Sequence, residues 1–184
     1  MAESPLDRVF WGRAQLAHTA ALYNFQKKSK VQHLIHQLKY KGRMDVGIHL
    51  GKLLGTDLAK TLAFKDVDKV VPVPLHPDKQ RKRGYNQSEQ IAIGMAKAMN
   101  IEMDATSFIR TVDTQTQTKK SRFARWENVK EIFQVTSAQQ LANKHILLVD
   151  DVITTGATLE SAAHILLNIE GVRLSVACIG YARE

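Results

Sequence analysis

The sequence predicts an α/β fold in which helices flank a mainly parallel central sheet. The first observation is Ile146–Val149, a run of four apolar residues that is short enough to be a buried strand. The second is a helical pattern in which apolar residues recur about one turn apart, at Leu159, Ala162, Ala163, Leu166 and Ile169. Gly171 ends this helix, and Val172–Ile179 indicates another strand. Such a strand–loop–helix–strand unit places its loop at the carboxyl edge of the sheet, where α/β proteins bind ligands.

The loop between this strand and this helix has the residue types of a phosphate site. Its members are small and rich in hydroxyl groups: Thr154, Thr155, Gly156, Ala157 and Thr158. Unpaired backbone N–H groups and the helix dipole stabilise a phosphate at a helix N-terminus. Gly156 lets the backbone approach the ligand closely, and the threonine hydroxyls add donors.

Two carboxylates, Asp150 and Asp151, stand between the apolar run and this loop. In contact with a phosphate they would repel it, but one step away they suit vicinal hydroxyls or the waters of a magnesium ion. The pattern therefore predicts a monophosphate site beside a diol-binding pair, as a phosphorylated sugar requires. The plainer interpretation makes the aspartates turn caps and Thr158 an N-cap. The chain has no G-x-x-x-x-G-K-[ST], and no G-x-G-x-x-G opens a helix after a strand.

Ile146–Thr158 resembles the phosphoribosyl-pyrophosphate (PRPP) signature of type I phosphoribosyltransferases. The resemblance implies the type I phosphoribosyltransferase fold, with the 5′-phosphate held by Thr154–Thr158. It implies that Asp150 and Asp151 hold the ribose 2′- and 3′-hydroxyls and support an oxocarbenium-like transition state. Mg²⁺ is the expected cofactor, bound by the same two aspartates through water.

Composition limits the partners. The chain has 184 residues and a net charge of +8, so an anionic partner is expected. Charge alone does not separate PRPP from nucleic acid, or either from a basic solvated surface. Cys178 lies in an apolar strand, which predicts a small core residue and not a nucleophile. Because it is the single cysteine, disulfides and cysteine-ligated metal sites are excluded within the chain. No signal peptide or long apolar run occurs, which predicts a cytoplasmic protein without a membrane span.

The amino-terminal part is predicted to contain an anchored arm, a strand and a helix. Phe10 and Trp11 anchor the arm, and a strand lies within Ala17–Phe25. Ser29 caps a helix whose apolar face is formed by Val31, Leu34, Ile35 and Leu38. The basic run Lys39–Arg43 ends this helix, where its charge suits either the helix dipole or a ligand. Both interpretations stay open.

A second basic stretch follows a further predicted helix, Val46–Leu62, and a strand within Asp68–Pro74. We expect a loop between Pro77 and Gly84 that carries Lys79, Arg81, Lys82 and Arg83. Asn86 then caps the next helix. Arginine offers planar, multi-donor contacts to phosphate oxygens, so Arg81 and Arg83 are preferred over the lysines as ligands for a second anion. The alternative is a solvated loop.

Two short strands are predicted at Thr106–Arg110 and Ile132–Val135. Between them, Thr111–Arg125 is polar, basic and nearly free of large apolar residues. It suits either a linker or a mobile lid over an anionic ligand. The cations of such a lid would be Lys119, Lys120, Arg122 and Arg125.

The chain resembles the ComF/GntX branch of the superfamily in pieces that occur in family order. They are Leu38–Gly42, Val71–Pro77, Arg81–Gln87 and Arg125–Val129 with Phe133. The resemblance implies that Pro74–Arg83 is the pyrophosphate loop and Thr111–Arg125 the flexible loop. Many members begin with a cysteine-rich zinc ribbon, which this sequence lacks. We expect a single phosphoribosyltransferase-like domain over residues 1–184, as a shorter variant or with a ribbon outside this sequence.

Two functions follow. The first is transfer of a phosphoribosyl group from Mg-PRPP to an acceptor with release of pyrophosphate. The second is a non-catalytic role in competence and DNA uptake, or as a PRPP-responsive regulator. Candidate partners are PRPP or a related phosphorylated ribose, single-stranded DNA, DNA-uptake proteins and, as a homodimer, a second copy of the chain. Aromatic content is 7%, and no basic–aromatic interleaving predicts a stacking platform for bases.

Overall fold

A five-stranded sheet forms the centre of the fold. The structure is a computed structural model that describes residues 6–25, 29–111 and 132–182. The strands of the sheet are β1 (Thr19–Phe25), β2 (Lys69–Pro72), β3 (Glu102–Met103), β6 (His145–Ile153) and β7 (Arg173–Ala182). Their order is β1-β7-β6-β2-β3, and each neighbouring pair is parallel. The predicted parallel sheet is therefore confirmed.

A separate antiparallel pair consists of β4 (Phe108–Arg110) and β5 (Phe133–Val135). Both strands lie within the predicted ranges. Their phenyl rings, Phe108 and Phe133, stack with centroids 5.1 Å apart and are buried in the core next to β6. This ladder brings together the residues that precede and follow 112–131, a range that lies outside the described residues.

Helices pack on both faces of the sheet. Their bounds are α1 (Asp7–Phe10), α2 (Lys30–Tyr40), α3 (Met44–Ala59), α4 (Pro77–Arg83), α5 (Gln87–Met99) and α6 (Ala157–Leu166). Apolar residues of α2, α3 and α5 share one buried cluster with the sheet. A second buried cluster contains residues of α1, α6, β4 and β5.

The central strand β6 is buried on both faces. Ile146 and Leu148 belong to the cluster with α6, whereas Leu147 and Val149 belong to the cluster with α5. Successive side chains of a strand point to opposite faces, so an unbroken apolar run is what a doubly covered strand requires. This explains why the apolar run predicted a strand without any polar alternation.

The helices α3 and α5 meet backbone to backbone through glycines. A methyl group built on Gly51 would lie 2.0 Å from the Ile91 carbonyl oxygen, and one on Gly94 would lie 2.1 Å from the Ile48 carbonyl oxygen. The apolar face of α3 is therefore interrupted by small residues where α5 crosses it.

Several element boundaries differ from the sequence-based expectations. The helix predicted to continue to Leu62 ends at Ala59, and Leu62 lies in a short 3-10 helix with 77% of its surface exposed. In the arm, Phe10 is buried as predicted, but Trp11 is 58% exposed. The Ser29 cap is confirmed, since its hydroxyl accepts the Gln32 N–H at 3.2 Å.

A helix that crosses a bilayer must be both long and apolar. Within residues 6–25, 29–111 and 132–182, no helix has the length and apolar character needed to cross a bilayer.

Gly51→Ala should lower the free energy of unfolding by about 1–3 kcal/mol, since overpacking a close contact costs roughly that much. The added methyl group would force α3 away from the Ile91 carbonyl. Urea denaturation followed by circular dichroism measures the change. Lys52→Ala, at the next and exposed position of α3, is the matched control and should change stability by less than about 0.5 kcal/mol. Equal small changes in both variants would contradict the direct backbone contact.

Candidate functional site

The two predicted carboxylates lie at the carboxyl edge of the sheet, within β6 rather than after it. Asp150 is in register with Cys178 of β7, and the ladder continues to Ile153 opposite Tyr181. The strand was predicted to end at Val149. It is longer because β7 continues alongside and supplies backbone partners beyond the aspartates. Cys178 is fully buried, and burial raises the pKa of its thiol, as does the charge of Asp150. It is a core residue, as predicted.

Each carboxylate has a partner from a different helix. The Ser88 hydroxyl, in the first turn of α5, donates to Asp150 Oδ1 at 2.9 Å. Lys39, in the last turn of α2, places its Nζ 2.9 Å from Asp151 Oδ2. Backbone N–H groups add one contact each, from Asp151 to Asp150 Oδ1 at 2.9 Å and from Val152 to Asp151 Oδ1 at 2.6 Å. The pair is therefore held in a fixed orientation.

Asp150 has an unusual protonation equilibrium. The surrounding protein removes most of its hydration, although an edge of the side chain stays accessible, and this burial raises its pKa to about 7. The neighbouring Asp151 carboxylate is the second cause of this raised pKa, while the Asp151 N–H, the Ser88 hydroxyl and the charge of Lys39 act in the opposite direction. Asp150 thus titrates near neutral pH, and a ligand that donates hydrogen bonds to it would favour the ionised form.

The hydroxyl-rich loop is short and leads directly into α6. The helix begins at Ala157, so Ala157 and Thr158 form its first turn instead of preceding it, and Gly156 is the N-cap. Gly156 has φ +76°, a conformation that glycine adopts without strain. This backbone, with Asp150, lines a small cavity of about 40 Å³. Thr154 and Thr158 are exposed, as a site for an incoming anion requires.

The amino-terminal arm packs against the back of this loop. Arg13 Nη1 donates to the Thr155 carbonyl at 2.8 Å, while its Nε donates to Glu160 of α6 at 3.0 Å. Val9 and Phe10 fill the space beside Gly156, where a methyl group would come within 2.7 Å of Val9 Cγ1. The arm therefore fixes the loop backbone, a role that sequence inspection missed.

The predicted cations Lys79, Arg81, Lys82 and Arg83 lie on the helix α4, whereas a loop was expected. Pro77 at the first position and left-handed Gly84 after the last give this short helix a favourable start and end. Arg81 forms an ion pair with Asp78 one turn earlier. Arg83 donates to the Gln87 side-chain oxygen and lies over the Tyr40 ring, 5.8 Å from its centroid.

The connection from α4 to α5, Arg83–Ser88, links the parts of the site. The Tyr85 hydroxyl donates to the Leu38 carbonyl at the end of α2, and Asn86 Nδ2 donates to the Val73 carbonyl after β2 at 3.0 Å. Ser88 then reaches Asp150. Within the described part of the chain, Gln87 Nε2 is the one buried side-chain donor or acceptor that lacks a hydrogen-bond partner. A buried donor of this kind costs free energy until an acceptor reaches it.

The predicted covering segment lies largely outside the described residues. Lys119, Lys120, Arg122 and Arg125 belong to it, as does the family piece Arg125–Val129. These positions therefore stay predictions.

The side chains present fit a hydrated magnesium ion better than a metal cage. Among residues 6–25, 29–111 and 132–182, no group of three or more His, Cys, Asp or Glu is placed to hold a metal ion. Asp150 Oδ1 and both Asp151 oxygens already have partners. Magnesium keeps several waters and often combines one or two carboxylates with phosphate oxygens. Asp150 and Asp151 would suit such an ion through water.

Comparison with known proteins identifies the family. The model of the phosphoribosyl transferase domain matches residues 54–184, so the chain belongs to this family. Its relatives place it in the ComF-like branch of the type I phosphoribosyltransferases, as the sequence pieces predicted. Two structures share the fold at 22% identity and 77% coverage of this chain. The first is glutamine PRPP amidotransferase from B. subtilis complexed with ADP and GMP, with a TM-score of 0.51 and 30% of that chain covered. The second is an allosteric regulatory enzyme of purine biosynthesis, with a TM-score of 0.52 and 29% of that chain covered.

The curated relatives are named for DNA utilization and competence. The DNA utilization protein YhgH of Escherichia coli K12 is 32% identical over 149 residues, which cover 79% of this chain and 65% of that protein. Competence protein F of Haemophilus influenzae is 30% identical over 77% of this chain and 64% of its own length. Competence protein ComFC of Bacillus subtilis is 27% identical over 155 residues, which cover 83% of this chain and 59% of that protein. The chain spans less than two thirds of each of these relatives.

Asp150→Asn should stabilise the protein more at pH 8 than at pH 5. The folded-state pKa of Asp150 lies above its ordinary value of 3.8, so the stabilising effect of its protonated form is complete below pH 4 and is lost as pH rises through about 7. Asparagine stays neutral throughout, and its stability advantage over aspartate should grow by roughly 2–3 kcal/mol between pH 5 and pH 8. Urea denaturation at both pH values measures it. Asp57→Asn, on the exposed face of α3, is the control, and an advantage independent of pH would contradict the prediction.

Proposed function

We propose that the chain binds Mg-PRPP and transfers its phosphoribosyl group to an acceptor, with release of pyrophosphate. The observation that carries this proposal is the order of groups at one sheet edge. A carboxylate pair at the end of β6 is followed, within a few residues, by a left-handed glycine and the N-terminus of α6. A 5′-phosphate suits the loop, and the ribose hydroxyls suit the carboxylates.

In this loop, the backbone provides more of the groups that would bind a phosphate than the side chains do. The N–H groups of the first turn of α6 and the helix dipole favour an anion at that point. Gly156 and the packing of Val9 hold the backbone in this conformation. The exposed hydroxyls of Thr154 and Thr158 add donors at the rim.

The pyrophosphate would bind where α4 meets α5. Its charge suits the cations Lys79, Arg81, Lys82 and Arg83. Gln87, whose side-chain oxygen accepts from Arg83, has an Nε2 without a hydrogen-bond partner. A phosphate oxygen, which is a strong acceptor, would satisfy this donor. Magnesium, when bound, would neutralise leaving-group charge. The aspartates would stabilise the positive charge that develops on the ribose ring.

Calorimetric titration with Mg-PRPP, with ribose 5-phosphate as the comparison ligand, is the direct test. Tighter binding of PRPP than of ribose 5-phosphate would support both halves of the site, and an acceptor screen would then follow pyrophosphate release. Absence of PRPP binding by folded protein would overturn the proposal.

Two variants should separate the diol site from the phosphate site. Replacing Asp150 and Asp151 by Asn should weaken PRPP binding by about 10–100-fold, since each hydrogen bond to a charged group contributes roughly 1.5–3 kcal/mol. Binding of inorganic phosphate should change little. Gly156→Ala should weaken both ligands alike because it deforms the loop backbone. Equal loss of both ligands in the aspartate variant would contradict the diol assignment.

Binding of single-stranded DNA is the second candidate function. The names of the curated relatives favour it, as does an exposed aromatic side chain in a basic setting. Tyr40 is 64% exposed, contacts Arg83 of α4 and is followed by the exposed Lys41 and Arg43. Bases stack on aromatic rings beside a charged groove in proteins that bind single strands. The fold thus adds Arg83 to the basic run around Tyr40, an association that the sequence order did not predict.

Tyr40→Ala should weaken binding of an oligothymidine strand by about tenfold, since base–aromatic stacking contributes roughly 1–3 kcal/mol. Fluorescence anisotropy at several salt concentrations measures it. The salt dependence should be steep for wild type and unchanged in the variant, because the phosphate contacts remain. Tyr23→Ala, at a half-exposed tyrosine of the edge strand β1, is the control. If both variants bind like wild type, the Tyr40 surface does not bind DNA.

A further inference from the structure

The ion pair between Lys39 and Asp151 joins a helix end to the carboxylate pair. The lysine side chain is 28% exposed and the aspartate side chain 11%, with 2.9 Å between Nζ and Oδ2. Charges that are partly shielded from water interact more strongly than those on an open surface. Lys39 therefore belongs to the site, although it is far from Asp151 in sequence.

The end of α2 that carries Lys39 is held in place. The Tyr85 hydroxyl donates to the Leu38 carbonyl, and the Lys41 N–H donates to the Gln37 carbonyl at 3.0 Å. Leu38 itself is fully buried. The backbone position of Lys39 is thus fixed, while its long side chain retains rotatable bonds that allow the ammonium to move.

The residue after Lys39 contacts the basic helix. Tyr40 lies under the Arg83 guanidinium of α4, so two consecutive residues of α2 face different parts of the site. Lys39 contacts the carboxylates, and Tyr40 contacts the cation-bearing helix. This places the Lys39 ammonium at the junction between the proposed diol site and the proposed pyrophosphate site.

We propose that Lys39 binds the pyrophosphate of PRPP, exchanging its contact with Asp151 for a pyrophosphate oxygen when the sugar hydroxyls take over Asp151. The inference rests on the proposed function and deepens it by adding a ligand-binding residue outside Lys79–Arg83, the basic stretch assigned to the pyrophosphate. The exchange keeps every polar group paired. The hydroxyls donate to the carboxylate, and the ammonium donates to phosphate.

Electrostatics favours this exchange. Without a cation at the junction, the Asp151 carboxylate would face the negative charge of the pyrophosphate directly, which is repulsive. Ribose 5-phosphate carries no group at this position, so it offers the ammonium nothing in return for Asp151. The presence of the lysine should consequently matter for PRPP and not for ribose 5-phosphate.

The test is calorimetric titration of wild type, Lys39→Met, Lys39→Arg and Lys30→Met with Mg-PRPP and with ribose 5-phosphate. Lys39→Met should lose about 10–100-fold in affinity for Mg-PRPP, as expected for a lost charge-assisted contact, and less than about threefold for ribose 5-phosphate. Lys39→Arg keeps the charge and should lose less. Lys30→Met removes an exposed charge at the opposite end of α2 and should affect both ligands by less than about threefold.

The outcomes separate this inference from the proposal beneath it. If wild type binds Mg-PRPP and Lys39→Met matches Lys30→Met, the role of Lys39 is overturned while the proposed function stands. Equal losses for both ligands in Lys39→Met would show that Lys39 acts only by orienting Asp151, and would also overturn it. If wild type fails to bind Mg-PRPP, the proposed function fails and the inference falls with it.

Discussion

The arrangement of the site depends on the burial of β6 between β2 and β7. Pairing with β2 as far as Val149, pairing with β7 as far as Ile153 and helices on both faces fix the strand around Asp150 and Asp151. Burial of Ile146–Val149 supplies the free energy that keeps two like charges together at a poorly hydrated edge. Without that anchor the carboxylates would separate into solvent, and the orientation that a diol requires would be lost.

Two adjacent carboxylates at such an edge repel each other, and the surrounding helices compensate for this. Lys39 supplies a positive charge to Asp151, and Ser88 supplies a hydroxyl donor to Asp150. The compensation is incomplete, since the pKa of Asp150 stays raised. A site that is imperfectly satisfied by the protein itself favours binding of a ligand that completes it, at some expense in stability. Gln87, with its unpaired amide, shows the same property nearby.

The segment Arg83–Ser88 explains how distant parts of the chain act as one site. It contacts the end of α2 through Tyr85, the end of β2 through Asn86 and the end of β6 through Ser88. Each contact is local, but together they fix the basic helix relative to the carboxylates. A displacement of α4 would thus be transmitted to Asp150, which connects the proposed pyrophosphate site with the proposed diol site.

The sequence by itself determined the parallel α/β class and the order strand, carboxylate pair, hydroxyl-rich loop and helix, because these depend on neighbouring residues. Prediction from the sequence was wrong where tertiary packing determines the secondary structure. The basic stretch Lys79–Arg83 is a helix, and the strand continues through Asp151 because β7 accompanies it. Only the tertiary structure brought Ser88 to Asp150 across 62 positions and Arg13 to Thr155 across 142. Such contacts join elements whose relative placement follows from burial of the whole sheet, which no local pattern contains.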